Sequence, residues 1–477
     1  MLVGKVVANI AGIVGTILVI NLLDRGENGK LEYGEAMAAF IVVATASQIT
    51  TLGIGQFVVV KAAQRRDLAF HATAIHVVLG GVAMVGAYVF RDPLGAWVKA
   101  PTMGRFVAGL AVAMMLDRLS LVPERVLMRS LNFRVVAISR TLGDFVYVGV
   151  SIGLAATGWG GTAIVLGNVA RSATRTLILI ASAERRDWLE PTRLRLQSFA
   201  EIWKFSGPIW VGALAAFACR RWDNLLVSRF YGADVMGSYN VAYNLAENPP
   251  VVAEQAIDVL LPSYSQLEPE KRITGFIRSL SLLSLITSPL VIGLGAVAPT
   301  VVAAFLGHKR DDVAPMLTLL STMAVSRPLV WASAAYFQAT DRTRIVMILE
   351  VTNLVLLVTA ITTLGQISPV WACAAVGLVS AVRAFITAVV MRKVDGVGLW
   401  KFFGPQLMPV VACLPMVAAV VGIRTATAGV AMPNVARLVL EVVVGAIVYV
   451  GAAWAVAKPT VRDALDLAKR AARRRRS

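Results

Sequence analysis

Residues 345–366 read IVMILEVTNLVLLVTAITTLGQ, a run bounded by Arg344 in which Glu350 is the single ionisable side chain. A helix needs about 20 apolar residues to cross a bilayer core, so this stretch reads as a membrane span. Working outward, runs of the same kind recur at 3–23, 36–60, 70–90, 105–128, 135–157, 159–183, 202–228, 234–262, 274–305, 313–338, 369–391, 404–424 and 435–457. The fold class expected is an all-α polytopic membrane protein with about 14 transmembrane helices. Composition agrees: 57% of the 477 residues are hydrophobic and 16% charged, against about 45–50% and roughly 25% in soluble domains. Such a chain has too little polar surface to cover a core in water.

The same stretch reveals a duplication. QATDRTRIVMILEVT, starting at Gln338, aligns with MRSLNFRVVAISRTL, starting at Met128, at an offset of 210. Arg134 then meets Arg344, Val136 meets Val346, Gly167 meets Gly377 and Val169 meets Val379. Earlier in each half, LEYGEAMAAF around Gly34 corresponds to ADVMGSYNVAY around Gly237. The expected layout is an N-terminal lobe at 1–183, a linker at 184–201 and a C-terminal lobe at 202–393. Two extra helices at 394–457 and a basic tail at 458–477 complete it. Parallel six-helix repeats of this kind place a substrate site at their interface near the midplane.

The formal charge of +18 sorts by position. With fourteen spans, 26 Lys and Arg fall in loops and tail on the side of both termini and 10 on the other, which puts both termini in the cytoplasm by the positive-inside rule. The tail KRAARRRR, Lys469–Arg476, follows a span directly and carries no aromatic residue. It reads as a juxtamembrane segment facing anionic lipid rather than nucleic acid. Cys219, Cys373 and Cys413 lie in apolar stretches, and His71, His76 and His308 are scattered without a metal-ligand spacing, so no metal or other cofactor is expected. The loops leave no room for a soluble catalytic domain, and the protein is not expected to be an enzyme.

Ten basic residues remain inside the assigned spans. An arginine at a helix centre costs about 2.5–3.5 kcal/mol on insertion scales, so it should face a wet cavity or an ion partner. Arg125, Arg140 and Lys204 lie close to a cytoplasmic end, where snorkelling suffices. Arg118, Arg171 and Arg327 sit near mid-span, with Arg175, Arg220, Arg221 and Arg383 about a third of the way in. Arg171 and Arg175 share a helix face, as do Arg118 and Arg125. One reading is ion pairing that fixes helix packing: Asp117 with Arg118, Glu124 with Arg125, Arg220 or Arg221 with Asp223. The other is a cationic cavity for an anionic substrate, which arginine suits because its fork binds phosphate through two hydrogen bonds. Pro249 and Pro250 remove backbone donors and should open their helix as a gate or hinge. Trp210, Trp222, Tyr239 and Tyr243 are either core and interfacial packing or surfaces for sugar rings.

The two-half layout, Tyr33–Gly34, MGSYNVAYNLAENPP at 236–250, VLLPSYSQL at 259–267 and the basic turns SLNFR and ATDRTR resemble the polysaccharide transporter and repeat-unit flippase family. That family belongs to the superfamily of multidrug and toxin extrusion transporters and the lipid II flippase. The resemblance implies export of a polyprenyl-pyrophosphate-linked oligosaccharide across the bacterial inner membrane for O-antigen, capsule or exopolysaccharide synthesis. It implies alternating access around a central cationic cavity, coupling to H+ or Na+, and a polysaccharide polymerase and chain-length machinery as partners. Arg118, Arg171, Arg175, Arg220, Arg221, Arg327 and Arg383 match the cavity arginines by depth and helix rather than by a fixed motif. Asp223 and Glu247 are the candidates for ion coupling. The first span starts sooner than the amphipathic lead-in the resemblance leads one to expect. The alternatives are a multidrug antiporter of the same superfamily, which would need an acid-lined lobe, and a membrane polymerase or ligase, which would need a large extracytoplasmic loop.

Overall fold

The computed structural model describes residues 2–60, 66–190, 196–247 and 257–474, and among these every regular element is helical. Ten stretches among the described residues are long and apolar enough to cross a membrane: Ala69–Val89, Gly104–Arg129, Phe133–Ala156, Thr162–Ser182, Glu270–Phe305, Val313–Ala339, Thr343–Gln366, Pro369–Asp395, Leu399–Ala426 and Asn434–Val456. Each coincides with an expected span. Their outer faces are apolar: Val78, Val82, Val85 and Val89 form one exposed stripe at helical spacing, 63–66% accessible. Such a stripe suits lipid and would be an aggregation hazard in water. The protein is a multi-pass membrane protein.

The chain forms two compact units. The first takes residues 1–240, with 350–354 added. It contains α1 (Leu2–Leu23), α2 (Gly29–Ile49), α3 (Ile54–Val60), α4 (Arg66–Val89), α5 (Arg91–Trp97), α6 (Gly104–Arg129), α7 (Phe133–Ala156), α8 (Thr162–Ser182), α9 (Leu196–Tyr231) and the start of α10 (Ala233–Glu247). One of its cores gathers Phe57, Val122, Val126, Leu179 and Trp188, joining α3, α6 and α8. At 36 residues α9 is about 54 Å long, well beyond a bilayer core.

The span expected at 36–60 is reshaped. Its helix runs from Gly29 and stops at Ile49, and α3 starts only at Ile54. The hydroxyls of Thr50 and Thr51 donate back to the carbonyls of Ala46 and Ser47, closing the last turn. Leu52 and Gly53 then take left-handed conformations at φ 48° and 64°. An apolar count cannot register that break, because Leu52 and Ile54 still score as membrane residues.

The second unit contains the rest of α10, then α11 (Ile257–Gln266), α12 (Pro269–Phe305), α13 (Val313–Met323), α14 (Arg327–Ala339), α15 (Thr343–Thr363), α16 (Pro369–Asp395), α17 (Leu399–Ala426), α18 (Asn434–Val456) and α19 (Lys458–Arg474). The span at 313–338 is two helices joined by the 3-10 turn Ala324–Ser326, with Pro328 opening the second. Helix α16 shows how sequence sets its ends. Ser368 accepts a hydrogen bond from the Trp371 amide at 3.3 Å, Pro369 opens the first turn, and Gly396 ends the helix in the left-handed region at φ 68°. Tyr264, Phe276, Tyr336 and Phe402 form an aromatic core with ring centroids 5.5–6.2 Å apart. Arg424 and Glu441 pair at 3.3 Å, and Thr300 donates to the same carboxylate at 2.9 Å. With Glu441 fully buried, this pairing joins α12, α17 and α18.

Candidate functional site

A cavity of about 320 Å³ opens within the first unit, lined by the end of α2, the Thr51–Gly55 break, α4, α6 and α9. Ser47, Gln48, Thr51, His76, Asp117, Arg118, Arg125 and Trp210 supply its polar lining. Arg118 is 3% accessible and no carboxylate pairs with it among the described residues. Its terminal nitrogens donate instead to neutral groups: the carbonyls of Thr50 at 3.3 Å and His76 at 3.1 Å, the carbonyl of Ser47, and the hydroxyls of Thr50 at 2.7 Å and Ser47 at 3.2 Å. The guanidinium is therefore held rigidly while its charge remains uncompensated. Gly80 on α4 makes this possible, since a Cβ there would overlap Arg118 Cδ.

Arg125, two turns further along α6, is the opposite case. Its Nη1 reaches only Met128 Sδ at 3.6 Å, and no carboxylate pairs with it among the described residues. It lies over Gly55, whose added Cβ would come within 3.0 Å of Arg125 Nε. Its fork is thus available to a ligand, while that of Arg118 is already occupied. Together they make a wall with one caged charge and one open charge.

Three other in-span arginines of this unit are neutralised. Arg175 pairs with Glu124 at 3.4 Å and Asp117 at 3.8 Å, Arg140 pairs with Glu124 at 2.5 Å, and Arg171 pairs with Asp144 at 2.6 Å. Ion pairing as an alternative to a cationic cavity therefore holds for part of the set only. It also joins different partners from those adjacent in sequence, because neighbouring residues on a helix point about 100° apart. Arg220 is exposed and Arg221 half-buried on α9, and neither pairs with a carboxylate among the described residues.

Asp223 is fully buried and takes its hydrogen bonds from uncharged donors: the Asn224 amide at 2.8 Å, the Asn224 side chain at 2.9 Å and the Tyr239 hydroxyl at 2.8 Å. Asn240 donates to Asn224 at 2.9 Å and Tyr33 donates to Asn240 at 3.1 Å. The two segments aligned as repeats around Gly34 and Gly237 meet beside this network, backbone against backbone, with no room for a Cβ on Gly34. In the second unit Glu247 pairs with Arg327 at 2.9 Å beside a cavity of about 20 Å³, room for about one water. Arg383 is half-buried on α16. Pro249 and Pro250 lie outside the described residues.

The model of the polysaccharide biosynthesis protein family matches residues 29–315, more than half of the chain. The chain belongs to that family. This polysaccharide biosynthesis protein is 24% identical over 370 residues to the lipopolysaccharide biosynthesis protein WzxC of Escherichia coli (strain K12), covering 75% of this chain and 72% of WzxC. It is 21% identical over 457 residues to the succinoglycan biosynthesis transport protein ExoT of Rhizobium meliloti (strain 1021), covering 92% and 89%. Among solved structures, the lipid II flippase MurJ in an inward closed conformation matches with a TM-score of 0.78 at 11% identity, over 96% of this chain and 99% of that one. An inward-facing MATE transporter of the MOP superfamily matches with a TM-score of 0.62 at 16% identity, over 82% and 96%. The chain thus has the fold shared by the lipid II flippase MurJ and that MATE transporter.

Reading by depth places Arg125 among the snorkelling residues and outside the cavity set, whereas the structure puts it in the cavity lining. The sequence signal that finds it is its position seven residues from Arg118 on the same face of α6. Ser47, Thr50 and His76, which cage Arg118, carry no sequence signal of their own.

Proposed function

We propose that the protein is a flippase carrying a polyprenyl-pyrophosphate-linked oligosaccharide across the bacterial inner membrane for surface polysaccharide synthesis. The observation that carries this reading is the carboxylate-free pair Arg118 and Arg125 on the wall of a polar cavity inside a membrane-embedded bundle. Two uncompensated cations in low dielectric favour a doubly charged anion, and a diphosphate presents the oxygens that a guanidinium fork binds. At about 320 Å³ the cavity takes a headgroup-sized portion of such a substrate. Trp210 lines the same cavity, its Nε1 donating to the Gln48 carbonyl at 3.2 Å, and offers its ring to the first sugar.

In this reading both termini are cytoplasmic and the protein works by alternating access without catalysing a covalent step. A polymerase and chain-length machinery consume what it delivers. Asp223 is the residue proposed to couple transport to H+ or Na+, because among the described residues no arginine reaches pairing distance of its carboxylate, whereas Glu247 is committed to Arg327. A multidrug antiporter is less well supported: Asp117 and Glu124, the acids nearest the cavity arginines, are already bound to Arg175 and Arg140.

Deleting the gene tests the function. Lipid-linked oligosaccharide should accumulate on the cytoplasmic face while surface polysaccharide disappears, and a copy carrying Arg125→Ala should fail to restore it. Normal surface polysaccharide in the deletion strain, with no second transporter present, would overturn the reading.

A further inference from the structure

The cluster of charge that the transport reading does not use lies at the C-terminus. Helix α19, Lys458–Arg474, is separated from the end of α18 at Val456 by the single residue Ala457, so it leaves the bilayer at the interface. Val461, Ala464, Leu465, Ala468 and Ala472 recur at helical spacing along one face. The first of these packs beside Cys413, Met416 and Tyr449, while Leu465 stays 44% exposed. From Lys458 onward the sequence carries eight basic residues and two acids. One of those acids is already consumed: Arg278 of α12 grips Asp463 through two hydrogen bonds, from Nε at 2.6 Å and from its second nitrogen. Asp466 is left as the one acid to offset the basic residues.

We propose that α19 is a surface-lying anchor that binds the anionic phospholipid headgroups of the bilayer. Three features select this partner. The helix is tethered within one residue of a span, its exposed Leu465 needs an apolar boundary, and its remaining charge is cationic, which is the pattern of an interfacial amphipathic helix on an acidic leaflet. The Arg278–Asp463 latch fixes its first turns against α12, so that headgroup binding is transmitted to a spanning helix rather than to a loose tail. A soluble polyanion such as RNA would meet the charge but not the apolar face. This anchor is independent of what the protein transports.

The test uses the full chain with Leu465→Cys carrying an environment-sensitive fluorophore, the three native cysteines replaced by alanine, in lipid nanodiscs that leave both faces accessible. Replacing neutral lipid by a mixture in which about a third is anionic should lower quenching by aqueous iodide roughly threefold. High salt should reverse that protection, as should the combined substitution of Lys469, Arg470, Arg473 and Arg474 by Gln. Equal quenching in neutral and anionic nanodiscs would overturn the proposal, and so would protection that survives the four substitutions. Protection produced by added RNA in neutral nanodiscs would assign the helix to a different polyanion and reject the lipid.

Discussion

Leu131 and Asp341 stand 210 positions apart and turn the chain through the same left-handed conformation, each at φ 59°. The bonds around them match as well. The amides of Ser130, Leu131 and Asn132 reach the carbonyls of Val126, Met128 and Leu127, and those of Thr340, Asp341 and Arg342 reach Tyr336, Gln338 and Phe337. The helices that follow start at Phe133 and Thr343, again 210 apart. At this turn, the duplication read from scattered identities is also one of backbone.

Neither turn uses glycine, although the left-handed region costs other residues about 1–2 kcal/mol. Leu131 is 74% exposed and loses little packing when truncated. Leu131→Gly should raise the stability of the detergent-solubilised protein by up to about 1 kcal/mol. Asp341→Gly should gain less, because Asp tolerates this conformation better than Leu. Thermal unfolding in detergent checks the order, and Leu131→Val should fall below the parent.

Gly80 and Gly81 are neighbours on α4 with opposite surroundings. An added Cβ at Gly80 meets Arg118, whereas one at Gly81 enters open space. Gly80→Ala should displace Arg118 from its cage and lower transport several-fold, with Gly81→Ala close to parent. Surface polysaccharide per unit of membrane-inserted protein is the measurement. Equal activity of the two variants would remove Arg118 from the site.

The two arginines should fail differently. Arg125→Ala removes a charge-assisted donor worth about 1.5–3 kcal/mol, so substrate binding should weaken by about 10- to 100-fold with folding intact. Arg125→Lys should restore part of it. Arg118→Lys cannot reproduce the planar contacts to Ser47, Thr50 and His76, and it should lower stability and binding together. Binding of a diphosphate-lipid analogue and unfolding temperature, measured on the same preparations, separate the two roles.

Asp223→Asn keeps the geometry of its network. The amide oxygen accepts from Asn224, and the new amino group donates to the Tyr239 hydroxyl, which can accept. If Asp223 couples transport to an ion gradient, the variant should fold normally yet lose the dependence of transport on pH or sodium. A vesicle assay with imposed gradients reads this directly. Retained dependence would move the coupling site elsewhere.

Much of the fold was legible because apolar length is a local property: the ten spans recognised in the structure each coincide with a run read from sequence. The break at Leu52–Gly53 was not, since it depends on dihedral angles that hydropathy does not report. The site was legible only in part. The residues 210 positions after Arg118, Arg125, Arg140, Arg171 and Arg175 are Pro328, Ala335, Glu350, Ala381 and Phe385, so the second half repeats the scaffold without repeating the charges. Which arginines are already paired depends on contacts between helices such as α6 and α8, and sequence adjacency suggested the wrong partners.

The cage around Arg118 has a consequence for unloading. Carbonyls and hydroxyls do not titrate, and His76, the remaining contact, could only add positive charge on gaining a proton. In the proposed reading, the field that draws an anion into the cavity therefore cannot be switched off by acidity on either side of the membrane. Such a cargo would leave because the walls move. The stop at Thr50 and the left-handed step at Leu52–Gly53 place a joint directly beside two of the groups that hold the guanidinium. A shift at that joint would loosen the arginine and reshape the chamber in one stroke, which makes departure of the cargo a mechanical event.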